Sequence, residues 1–183
     1  MRFTLTSRIA AAFVVSLISL VALATISYRN VAALNRDAER VIHTYEVLET
    51  RERLERSLAN IEAAARAYVL ALDPAFRADV ATERSLIAGE QRTLRALTAD
   101  IASQQERIDQ LDTLLQQRGA PIDEMLSLRD RGVSAADQSI TDVVRAGSSL
   151  GRQIRQITDA IEAEERRLLG ERSATTARAE RLT

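Results

Sequence analysis

The chain has 183 residues, no cysteine, one histidine and a formal net charge of −1, with 28% charged and 3% aromatic residues. Without cysteine there are no disulfides, thiolate nucleophiles, iron–sulfur clusters or covalently attached haem, and one histidine leaves a catalytic triad or a multi-histidine metal site almost nothing to be built from. Both signs of charge are interspersed, so no nucleic-acid face is implied, and all 25 basic residues are arginine, so no lysine can form a Schiff base.

Low glycine and proline content, with abundant Ala, Leu, Glu, Gln and Arg, points to long helices and coiled coils. No run alternates apolar and polar residues as a half-buried strand would. The expected class is all-α.

The first element is the stretch Arg8 to Leu72, which contains neither proline nor glycine. Its opening part, Ile9 to Ser27, carries no charge and as a helix spans roughly 28 Å, close to the hydrocarbon core of a bilayer. Arg2 and Arg8 precede it, which places that end in the cytoplasm by the positive-inside rule. Tyr28 follows, suited to the far interface. The competing reading is a cleaved signal peptide, since Val21-Ala22-Leu23-Ala24 ends in a small-x-small pattern. The length of the run and the helical pattern that continues through it favour an anchor.

Beyond the membrane segment, Val31, Leu34, Ala38, Val41, Tyr45 and Leu48 recur at spacings of three and four, as do Leu54, Leu58, Ile61, Ala65, Tyr68 and Leu72. These are heptad core positions, and the stripe shifts phase between Leu48 and Leu54. The helix would extend on the order of 65 Å past the apolar run.

Asp73-Pro74 is the first break. The second helix carries Phe76, Val80, Ile87, Leu94, Leu97 and Ile101, with Glu83 and Glu90 on the same stripe. Ser103 followed by Glu106 fits a capping box for the third, whose stripe is Ile108, Leu111, Leu115, Ile122 and Met125 with Arg118 among them. Pro121 is expected to kink this helix without ending it. Arg131-Gly132 closes it, and Ser134 can cap the fourth, whose stripe is Ile140, Val143, Gly147, Leu150, Ile154, Ile157, Ile161 and Leu168.

The reading is therefore a cytoplasmic N-terminus (1–8), a transmembrane helix (9–28) and an extracytoplasmic domain (29–183). In that domain, helices at about 29–72, 75–101, 104–131 and 135–180 form an up-down-up-down four-helix bundle with long first and last helices. The long helices would form a two-helix stem, which a second copy of the chain is expected to complete. The expected partners are thus the lipid bilayer and a homodimer mate, with an unknown small-molecule or protein stimulus and no nucleic acid.

The chain resembles the third class of CHASE extracellular sensor domains, which belong to bacterial membrane receptors. The family pattern E-T-G-Q-R-G-Y-L-L-T-G-D is matched by Glu62, Arg66, Tyr68, Leu70 and Asp73 at the end of the first helix. Its V-x-H-T-x-x-V-L start is matched by Val41, His43, Thr44, Val47 and Leu48. Its helix-four tail is matched by Gly147, Ile154, Arg155, Ile157, Glu165, Leu168, Leu169 and Arg172. The departures are Ala64, Ala67 and Leu72 where the family has glycine, and Ala65 where it has glutamine.

The resemblance implies a sensory module facing the periplasm or exterior of the bacterial inner membrane. It also implies a second membrane helix leading to a histidine kinase, diguanylate cyclase or chemotaxis transducer. No second apolar run occurs before Thr183, so the expectation is either a piece of a receptor or an anchor-and-sensor unit. The alternative function is a membrane-anchored helical tether with no ligand.

Catalysis by these residues is not expected. No glycine-rich phosphate loop is present, and a di-iron bundle needs E-x-x-H pairs whereas His43 has Arg40 at minus three. No cofactor or metal is expected.

Glu62 and Arg66 stand in the favourable i,i+4 orientation for an ion pair. Counting from the outer tip places Arg66 level with Glu83 and Glu124, so a cross-helix charge cluster is expected, either as a register-fixing network or as a site for an acidic or polar ligand. Arg155 falls level with Glu52, and a structural pair is expected there. His43 is a weak candidate for pH sensing or for metal binding across a dimer. Tyr45 and Tyr68 are expected in the core. Gly147 and Gly151 are expected to permit close helix contact.

Overall fold

The computed structural model describes the backbone of residues 5–180, and the side chains of 13–29, 31–32 and 38–171. Four helices account for it: α1 Leu5–Ala71, α2 Pro74–Leu97, α3 Ala102–Asp130 and α4 Gln138–Glu180. The chain forms two compact units, Met1–Ile42 and His43–Thr183.

In the first unit the apolar side chains from Phe13 to Ile26 are exposed. Two of the hydroxyls among them turn back onto their own helix. Ser19 Oγ donates to the Val15 carbonyl (2.9 Å) and Thr25 Oγ1 to the Val21 carbonyl (2.7 Å), so each polar group is satisfied within its own helix. Among the described residues no helix is long and apolar enough to cross a membrane. The side chains of Ile9 to Ala12, which begin the uncharged run, lie outside the described residues, as do those of Leu34 and Arg172.

The second unit is an up-down-up-down bundle, and its ion pairs and hydrogen bonds show the antiparallel register directly. Along α1 and α2, Arg53 meets Glu90 and Asn60 meets Glu83. Along α2 and α3, Arg84 meets Asp123 and Arg95 meets Asp109. Gln104 of α3 reaches Glu165 of α4, and Thr44 of α1 reaches the same Glu165.

The core forms where the stripes meet, in two clusters. The tip cluster includes Ile61, Ala65, Tyr68, Val80, Ile122, Met125, Ile140 and Val143. The second includes Val47, Leu54, Leu58, Leu94, Ile108, Leu111, Ile154 and Ile161. Full burial of one such Leu or Ile is worth about 1.5–3 kcal/mol. The stripe is different at the start of this region: Val31, Val41 and Tyr45 are exposed, Tyr45 at 62%. Tyr45 is therefore not a core residue among the described residues of one chain.

The connections follow local chemistry. Leu72 (φ 56) ends α1 in the left-handed region, its N–H bonded to the Tyr68 carbonyl. Asp73 caps α2, accepting from the Ala75 amide at 2.9 Å, with Pro74 in the first turn. α2 stops at Leu97, not at Ile101, and Thr98 Oγ1 returns to the Leu94 carbonyl.

The Ser103–Glu106 capping box does not form. α3 already begins at Ala102, its N-cap is Ile101, and no side chain caps it. Gln105 serves the preceding end, donating to the Arg95 carbonyl and to Thr98 Oγ1. α3 continues through Pro121. It ends in a Schellman motif, with Gly132 (φ 85) bonded to the Arg129 carbonyl and Val133 to that of Leu128. Ser134 caps a turn and not α4. Asp137 takes that role, accepting from the amide and hydroxyl of Ser139.

Candidate functional site

Between the two apolar clusters lies a charged layer built on Arg118. The α3 periodicity that buries Ile108, Leu111, Ile122 and Met125 also turns Arg118 inward, and its side chain is 4% exposed. The guanidinium donates to the Gly147 carbonyl at 2.6 Å and pairs with Glu62 of α1. α4 makes room for it with glycine: a Cβ added at Gly151 would stand 2.5 Å from Arg118 Nη1. The Arg118 Nε is buried and has no hydrogen-bond partner. Burial lowers the pKa of Arg118, and repulsion from Arg155 lowers it further.

Two hollows flank this layer, and both include Glu62 and Arg118. One, between α1, α3 and α4, has Arg66 and Ser148 beside apolar walls from Ile122, Met125, Val143 and Val144. The other, lower on the α1–α4 face, has Glu55, Gly151, Ile154 and Arg155.

The structure keeps the Glu62–Arg66 pair at 3.7 Å but does not join Arg66 to Glu83 and Glu124. One oxygen of Glu83 accepts from Asn60 at 3.0 Å, the other is buried without a partner, and Glu124 is exposed. Level counting fixes height along a bundle but not direction around it. Arg66 lines the hollow toward α4, whereas Glu83 lines the groove between α1 and α2.

Likewise Arg155 and Glu52 are both exposed, and no ion pair joins them among the described residues. The neighbouring Arg51 is the one that faces α4, meeting Asp159 at 2.5 Å and Glu162 at 2.8 Å. Tyr68 is buried in the tip cluster. It donates to Asp130 at 2.5 Å and accepts from Arg77 at 3.3 Å, and hydrogen bonds from Arg77 foremost and then from Tyr68 hold the Asp130 carboxyl below its ordinary range. His43 is half-buried. Among the described residues no cluster of His, Cys, Asp or Glu could hold a metal ion.

A second polar layer was not assembled from the sequence. Glu165, Gln104 and Thr44 are all fully buried. Glu165 accepts from Thr44 Oγ1 at 3.3 Å and from Gln104 Nε2 at 3.2 Å, and Arg107 donates to Gln104 Oε1. The signal for Gln104 was its spacing, four before Ile108 on the same stripe.

The family model of the CHASE3 domain matches residues 37–175. No curated protein and no solved structure matches the chain.

Proposed function

The chain belongs to the CHASE3 family of sensory domains, and from that premise we propose that it is the extracytoplasmic sensor of a bacterial transmembrane receptor of histidine kinase, diguanylate cyclase or chemotaxis transducer type. In this reading residues 9–28 anchor it in the inner membrane, the bundle faces the periplasm or exterior, and the chain catalyses no reaction itself. A stimulus changes bundle packing, and helix displacement of an ångström or two passes the change to the membrane.

The observation that carries the reading is α1, whose backbone runs from Leu5 to Ala71 without a break. Support for the anchor comes from the exposed apolar residues Phe13 to Ile26 and from the inward-bonded Ser19 and Thr25, as a helix in lipid requires. The exposure of Val31, Val41 and Ile42 on the first unit supports a homodimer whose second copy covers them.

The test uses a receptor in which this chain is joined through a second membrane helix to a histidine kinase. Deleting one residue between Arg29 and Arg40 turns every later side chain by about 100° relative to the membrane. The expected result is a large change in basal kinase activity, with recovery when a whole heptad is deleted. Activity indifferent to both deletions would overturn rigid-helix signalling and leave a tether.

A further inference from the structure

The hollow between α1, α3 and α4 contains two guanidinium groups, Arg118 and Arg66, and one carboxylate, Glu62. Its remaining lining is apolar, apart from Ser148 and the Gly147 backbone. Glu62 is shared, pairing with Arg118 and, at 3.7 Å, with Arg66. One cation in this space therefore lacks a full counter-charge.

Burial makes the deficit matter. Arg118 is almost wholly removed from water and shares its carboxylate partner with Arg66, and an incompletely paired buried ion is expensive. The space beside it is genuine: Gly147 presents no side chain, and a Cβ there would only touch Pro121 Cβ at 3.7 Å. The hollow is small, about 40 Å³, largely apolar and open to solvent, with its few polar groups converging at one end, an arrangement that suits only a small ligand.

We propose that this hollow binds a small carboxylate with a short apolar tail, its carboxylate held by Arg118 and Arg66 and its tail against Met125, Val143 and Val144. The pair of guanidiniums suits a planar carboxylate, which can accept two parallel N–H bonds. The attraction of a bound carboxylate would offset the cost of burying Arg118 and its repulsion from Arg155. The inference deepens the sensor reading and rests on it for its consequence: an occupant of this hollow sets the spacing of α1 and α4.

The test is thermal unfolding and calorimetric titration of the full chain in lipid nanodiscs at pH 7 and fixed ionic strength. The probes are sodium butyrate, neutral butyramide and sodium sulfate. Butyrate is expected to bind saturably and raise Tm, and the other two are not. Arg66→Gln is expected to weaken butyrate binding at least about tenfold, and Ser148→Leu, which intrudes on the hollow from an exposed position, to abolish it. Both variants should unfold near the wild-type temperature without butyrate.

Arg118→Met removes the central cation. If it does not fold, the two exposed-site variants still decide. Equal effects of butyramide or sulfate, no butyrate binding, or binding undiminished in both variants would each overturn the proposal. None of those outcomes touches the kinase deletion test, and failure of that test would leave butyrate binding in place.

Discussion

Of the two glycines of α4 beside Arg118, one is exacting and the other is not. They look alike in sequence, four apart on one stripe, yet the structure predicts opposite outcomes for the same substitution. At Gly147 a methyl group meets Pro121 Cβ at an ordinary 3.7 Å, so Gly147→Ala is expected to raise stability by up to about 1 kcal/mol through helix propensity. At Gly151 the methyl group would lie 2.5 Å from Arg118 Nη1 and 3.2 Å from Cζ. The guanidinium is pinned by the Gly147 carbonyl and Glu62, so it cannot retreat without leaving a buried partner unsatisfied. Gly151→Ala should therefore be less stable than Gly147→Ala by about 1–3 kcal/mol, measured by urea unfolding of the two variants side by side. Equal stabilities would mean that the guanidinium does not occupy this space. Leu72 carries backbone strain. It takes up φ 56 at the end of α1 with its side chain 46% exposed, at the position where the family pattern has glycine. Leu72→Gly removes a left-handed strain of about 1–2 kcal/mol but adds freedom to the unfolded chain. A net gain of about 0.5–1 kcal/mol in the same assay is expected.

Among the elements, α2 is held least firmly. Only Val80 and Leu94 are buried on it, against seven residues on α3. Much of its other attachment is ionic and exposed: Arg77 to Asp130, Arg84 to Asp123, and Arg95 to Asp109 and Asp112. Exposed pairs of this kind contribute about 0–1 kcal/mol each, so the two buried side chains dominate. Hydrogen exchange followed by mass spectrometry should show α2 losing protection before α3 and the bundle part of α4. Val80→Ala should accelerate exchange in α2 well beyond its effect on α3. Uniform protection across the bundle, or an effect of Val80→Ala spread evenly over it, would contradict this ordering. The helices themselves were legible from periodicity, because each stripe had to find a core. The caps were less so. Ser103 and Glu106 have the right spacing for a capping box, but backbone pairing at Thr98 and Ile101 starts α3 one residue before Ser103, and Gln105 is drawn to the open carbonyl of α2 instead.

For the whole bundle, sequence alone conveyed which residues share a height but not which share a side. That is why the Glu62–Arg66 pair was found from spacing while Glu83 and Glu124 were wrongly placed with it. It is also why Arg118, visible as a charge on an apolar stripe, was not recognised as the centre of a layer: its partners Glu62 and Gly147 lie on two other helices. The same distributed arrangement sets the acid response of the molecule. Among the described residues three carboxyls lie below their ordinary range: Asp130 through Arg77 and Tyr68, Asp137 through Ser139, and Glu164 through Arg167. In the unfolded chain their values return to about 3.9 for Asp and 4.3 for Glu. Below those values the unfolded state binds more protons than the folded one, so stability falls as pH falls. Their contribution is complete above about pH 5 and is lost as pH drops through the folded values. Melting temperature should therefore be nearly flat from pH 7 to 5 with respect to these groups and decline below about pH 4. Asp130 differs from the other two in tying α1, α2 and α3 together at the tip, through Tyr68 and Arg77. Asp130→Asn should lower the melting temperature at pH 7 and make the decline below pH 4 shallower, because one of the protons that drives it is no longer taken up. An unchanged acid slope in that variant would show that the tip cluster does not hold its carboxylate in the folded state.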